Sequence, residues 1–159
     1  MIIKRILSLF PILSCMPVPV VGAEVFLGQG SMVGEVSEAG AILQTRLTAS
    51  EQLVDGDLPG AAGVACFELG TTKELERAKR TPWLKAQVAN DFIVKVKVSD
   101  LKPATRYFYR VVYGPSKSNA KVGPVGSFST LQGATGDKEV SFVVVTGMNY
   151  MSFHYGKLG

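Results

Sequence analysis

With 159 residues, 47% of them apolar and 19% charged, the chain is long enough for one domain with a packed core and too apolar for disorder. The formal net charge of +4 falls to +2 once Lys4 and Arg5 are set aside with the N-terminal segment that contains them. No basic stripe is interleaved with stacking aromatics, so the charge gives no case for a nucleic-acid partner.

That first segment reads as a secretory signal peptide. Lys4 and Arg5 form its charged start, residues 6–16 its apolar run, and Val21-Gly22-Ala23 the small-residue cleavage site, with cleavage expected after Ala23. The run is short and interrupted by Pro11, so no transmembrane span is expected. Ile12-Leu13-Ser14-Cys15 partly matches a lipoprotein box, which makes lipid anchoring through Cys15 the lesser alternative. Either route takes the mature protein out of the cytoplasm. Cleavage at Ala23 leaves Cys66 as the lone cysteine, read as a small buried residue in an apolar run.

The mature chain reads as a succession of short strands. Residues 25–36 predict a first strand, kinked or bulged at its glycines. Residues 41–49 predict a second, with Leu43, Thr45 and Leu47 on one face. Asp55 to Gly60 make a loop, and residues 61–69 a third strand with the continuous apolar character of a sandwich core. Residues 70–80 are polar and suit one or two helical turns capped by Thr71 or Thr72. A short strand around Trp83 follows. Residues 91–99 alternate cleanly, with Phe92, Val94, Val96 and Val98 inward.

Leu101-Lys102-Pro103-Ala104 is then a corner leading into the strongest strand, residues 105–113. Thr105, Tyr107, Tyr109, Val111 and Tyr113 share one face of it. Tyr107, just inside this strand and shortly after the Leu-x-Pro bend, is the expected structural tyrosine corner, its ring in the core and its hydroxyl capping upstream backbone. Residues 114–123 read as a turn and 126–130 as the last strand, anchored by Phe128. About seven strands with regular turns predict an all-β, immunoglobulin-like antiparallel sandwich over residues 24–131.

Leu-x-Pro-x-Thr-x-Tyr-x-Tyr-Arg-Val resembles the E–F corner and F strand of fibronectin type III domains. Beyond the sandwich, residues 132–139 form a polar linker. Residues 140–150 then read as a strand buried on both faces, of the kind that opens an α/β domain. A finished sandwich has no second face to cover it, so residues 140–159 are expected to begin a truncated further domain. The order of signal, sandwich ending Gly126-Ser127-Phe128-Ser129-Thr130, linker and apolar strand resembles the N-terminal part of the alkaline phosphatase D (PhoD-like) family. That part is in turn similar to the N-terminal domain of purple acid phosphatases.

The resemblance implies a non-catalytic accessory domain of a secreted or periplasmic phosphatase or phosphodiesterase. The downstream metallophosphoesterase domain of such a protein hydrolyses phosphate esters with two metal ions (calcium, iron or manganese) that activate water and clamp phosphate. Where family members often carry an iron-binding Cys after the first core strand, this chain has Thr146-Gly147-Met148-Asn149. Within the sandwich, no catalytic, cofactor-binding or metal-ligating residue is expected. Asn149 and His154 follow the apolar strand, where α/β active sites gather, and are the candidates for an active-site-proximal position in the full-length protein; a packing or surface role is the weightier reading. The competing function is a free-standing secreted sandwich that binds a glycan or a cell-surface protein, for which Trp83 and Tyr113 are the aromatic candidates.

Overall fold

The structure is a computed structural model and describes residues 23–134 with Gly136, Asp137 and Glu139. Among these residues there are nine strands, one 3-10 turn at Val88–Asn90 and no α-helix. β1 (Ser31–Gly34), β2 (Ala41–Arg46) and β6 (Ile93–Val98) pair antiparallel in the order β1-β2-β6. The larger sheet has β3 (Gly63–Gly70) and β7 (Arg106–Ser116) at its centre. β4 (Lys79–Arg80) and β5 (Leu84–Ala86) flank β3, and β8 (Asn119–Val122) and β9 (Gly126–Ser129) flank β7.

Alternation decides which residues meet between the sheets. Leu43 and Thr45 of β2, Val94 and Val98 of β6, Ala65, Phe67 and Leu69 of β3, and Tyr107, Tyr109, Val111 and Tyr113 of β7 are all buried. Leu47, Val25 and Ala86 complete that core, with Phe128 packed against it. Phe128 stacks on Tyr107 at 5.8 Å between ring centroids and lies tilted to Tyr109 at 6.2 Å. Among the described residues, no buried side-chain polar atom lacks a partner.

Three expectations need correction. Residues 25–36 are not one bulged strand. Phe26 pairs with Thr48 in an isolated bridge, a turn closes from Gly30 N to Leu27 O, and β1 begins only at Ser31. Gly28 is needed there, because a Cβ would lie 2.7 Å from Ser50 O and 3.0 Å from Thr48 Oγ1.

Residues 70–80 form turns, not helix. Leu75 is buried with a left-handed φ of 57°, so seating one apolar side chain breaks the helical path. The stretch 114–123 is more than a turn. β7 runs on to Ser116 and folds back as β8, with the register shift falling between Tyr113 and Ser116, where Pro115 owes the ladder no donor. Trp83 lies just before β5 and is half-buried.

The strand directions fix two ends. At one lie the 37–40 loop, the 101–105 corner and the exit after Thr130. At the other lie the 50–60 loop, the β7–β8 hairpin tip and Val25. Eleven residues of β7 separate these ends by about 35 Å.

Candidate functional site

The corner works as a junction of hydrogen bonds. Pro103 and the left-handed backbone at Asp100 (φ 58°) and Ala104 (φ 49°) turn the chain from β6 into β7. Tyr107, expected as the tyrosine corner, holds that role: its hydroxyl accepts the Lys102 N–H at 2.9 Å while its ring is buried. Thr130 locks the same corner from the other side. Its Oγ1 accepts from Thr105 N at 3.0 Å and donates to Lys102 O at 2.6 Å. Ala104 N donates to Leu131 O, and Leu131 N to Ser37 O in the loop after β1. The exit from the domain is thereby bonded to both sheets. Tyr107→Phe removes one acceptor and leaves the Lys102 N–H without it. A loss of about 1–2 kcal/mol in urea unfolding is expected, with the folded spectrum unchanged.

On the outer face of the larger sheet, Glu68 is clamped by two arginines. Its Oε2 accepts from Arg110 Nε at 2.7 Å and its Oε1 from Arg80 Nε at 3.2 Å, with Arg80 Nη2 also on Oε1. Burial pushes the Glu68 carboxyl up, but the hydrogen bonds from Arg80 and Arg110 outweigh it and hold the group below its ordinary value. The Arg80 guanidinium is shifted up by the same contact. Cys66, one pair along the face, is fully buried, and that burial raises its thiol pKa. It is a packing residue rather than a nucleophile.

A depression of about 290 Å³ lies on the smaller sheet beside Arg46, Asp57 and Asp91. All three nitrogens of Arg46 bond there: Nε and Nη2 donate to the Asp91 carboxylate at 3.0 and 2.8 Å, and Nη1 donates to Leu58 O at 2.7 Å. The Arg46 hydrogen bond holds the Asp91 carboxyl below its ordinary range. Arg46 therefore staples β2 to the loops at its end, with its Nε–Nη2 fork taken by the Asp91 carboxylate.

Among the described residues, no three His, Cys, Asp or Glu side chains converge as metal ligands. This set does not fit a two-metal centre, and no chemical step is assigned to it. Trp83 and Tyr113 do not form an aromatic binding patch. Tyr113 is 6% exposed and faces the core, where burial raises its phenol pKa. Asn149, His154 and Cys15 lie outside the described residues. The sequence carried no local sign of the Thr130 latch and only one of the Glu68 clamp. The one hint was a charged residue inside the apolar run 61–69.

The profile described as PhoD-like phosphatase, N-terminal domain, matches residues 20–132. The chain belongs to that family. A structure of PhoD superposes with a TM-score of 0.57 at 23% identity, covering 70% of this chain and 20% of that one. A human fibronectin type III domain from the KIAA0970 protein superposes with a TM-score of 0.50 at 13% identity, over 80% of this chain and 87% of that domain. At these identities the likenesses establish the fold: the PhoD-like N-terminal domain is a fibronectin-like sandwich. The chain corresponds to about a fifth of the length of the PhoD chain it matches. No curated protein matches it. No helix of the described residues is long and apolar enough to cross a membrane.

Proposed function

We propose that this chain is the non-catalytic N-terminal domain of a secreted or periplasmic PhoD-like phosphatase or phosphodiesterase. In this reading, a metallophosphoesterase domain downstream in the same protein hydrolyses phosphate esters. The observation that carries the reading is the family match across residues 20–132, which spans the whole sandwich and ends at the linker. Burial supports it further. Val25, two residues past the expected cleavage point, is 1% exposed and belongs to the core, so cleavage after Ala23 would leave the described core whole.

When bound, two metal ions supply a polarised phosphoryl group and an activated water. In this reading their ligands belong to the downstream domain; among the described residues no convergent donor set occurs. Asn149 and His154 are proposed to line that domain's cleft, at the C-terminal end of the apolar run 140–150. The sandwich presents, folds beside and orients that domain without touching the substrate.

The test is hydrolysis of 4-nitrophenyl phosphate with calcium and either iron or manganese. The full-length protein is expected to turn over substrate, with Asn149→Ala and His154→Ala lowering the rate. The 159-residue polypeptide is expected to stay at the blank. Metal-dependent turnover by the 159-residue polypeptide refutes the accessory role, and unchanged turnover in both variants removes Asn149 and His154 from the cleft.

A further inference from the structure

We propose that the corner end of the sandwich is the surface on which the downstream catalytic domain docks, with Leu131 at the contact. The inference rests on the reading that such a domain follows in the same chain.

Three observations single out this end, and a fourth supplies an apolar side chain there. First, the chain enters and leaves the sandwich at opposite ends. Val25 and Phe26 sit beside Thr48 at the far end, and Thr130 leaves beside Thr105. Second, the exit cannot swivel freely. Thr130 and Leu131 are bonded to Lys102, Ala104 and Thr105 of the corner and to Ser37 of the facing loop. Leu101 N also donates to Ala39 O, which ties the corner to that loop.

Third, the tail keeps to this surface after the exit. Gly133 has a φ of +83°, and a Cβ there would come within 2.4 Å of Glu38 Oε2, so the linker runs against the 37–40 loop. Only residues 134–139 then remain before the apolar run that begins at residue 140, a reach of at most about 20 Å fully extended. A domain tethered that closely cannot reach the 50–60 loop some 35 Å away with its first strand, but it can cover the corner.

Fourth, Leu131 is 43% exposed although the backbone on either side of it is pinned. An exposed apolar side chain on a backbone bonded to Ser37 and Ala104, with Glu38 beside Gly133 two residues on, has the mixed apolar and charged make-up of contacts between domains of one chain. The left-handed backbone of Glu35, Asp100 and Ala104 at the same end holds these loops in shapes that ordinary residues avoid.

Leu53 supplies an internal reference. It lies in the loop at the far end and is 68% exposed, with the same side-chain chemistry as Leu131. Hydroxyl-radical labelling of the full-length protein compares the two in one sample, alongside turnover of 4-nitrophenyl phosphate. Docking at the corner predicts labelling of Leu131 at least about fivefold below that of Leu53, because an interdomain contact excludes solvent. Comparable labelling of the two leucines overturns the docking surface, and if turnover is present it leaves the phosphatase reading standing. Protection of Leu131 without any metal-dependent turnover keeps the docking surface and overturns the phosphatase reading.

Discussion

Phe67→Ala is expected to destabilise the domain by about 3–5 kcal/mol, the range for deleting a large side chain from a close-packed core. Phe67 is fully buried and is the largest side chain in that state among the described residues. It stands at the centre of β3, opposite Val111 of β7, and its ring faces the space between the sheets. Its backbone is held independently of the ring: Phe67 N donates to Thr81 Oγ1 at 2.9 Å, and Thr81 N donates to Phe67 O at 2.9 Å. Truncation therefore removes packing and leaves the ladder intact. For a domain of ordinary stability this is about a fifth of the total or more. Urea unfolding followed by Trp83 fluorescence should show a lowered midpoint with an unchanged slope. Phe67→Leu should recover most of the loss, because much of the volume is kept. A shift below about 1 kcal/mol for Phe67→Ala would mean the core is packed around other residues.

Glu68→Ala acts on the opposite face of the same strand and through charge. Removing the carboxylate leaves Arg80 and Arg110 facing each other without their shared partner. Breaking a buried pair from one side costs about 3–5 kcal/mol, and the partial exposure of both arginines brings the expected value nearer 2–3. The same contact gives stability a pH dependence of known sign. The folded Glu68 carboxyl lies below its ordinary value of 4.5, so its contribution is fully present above that value. As the pH falls further, the unfolded chain takes up the proton first, and the contribution is lost through the folded-state pKa. Glu68→Gln should flatten the acid limb of a stability–pH profile between about pH 5 and 2 while the wild type falls. The Asp91 carboxyl is lowered by Arg46 in the same direction, so a residual slope in Glu68→Gln is expected. An unchanged acid limb would show that the arginines do not hold Glu68 in solution.

These two residues also show what was and was not legible in the sequence. The alternation of residues 105–113 and the Leu-x-Pro bend placed Tyr107 correctly, because a period of two and a proline are both local signals. The run 61–69 announced a central strand for the same reason. The clamp on Glu68 was not legible, since its partners are 12 and 42 residues away and only the sheet register brings them together. The latch at Thr130 reaches back 25 to 28 residues and leaves no local trace either.

Local signals also misled where tertiary contacts outweighed them. Gly114 and Pro115 read as breakers, yet they sit at the irregular point of a strand that continues to Ser116. Residues 70–80 have helical composition, but buried Leu75 draws the backbone into turns. Tyr113 looked available as a binding aromatic until the register turned it into the core.

The division of labour between sandwich and downstream domain is tested most directly by cutting the full-length protein between them. A protease site placed in the linker at residues 134–139 allows the two pieces to be separated and assayed with 4-nitrophenyl phosphate, calcium and iron or manganese. All metal-dependent turnover is expected in the C-terminal piece, with the sandwich at the blank. Turnover that stays with the sandwich would contradict its assignment as the non-catalytic domain of a phosphatase.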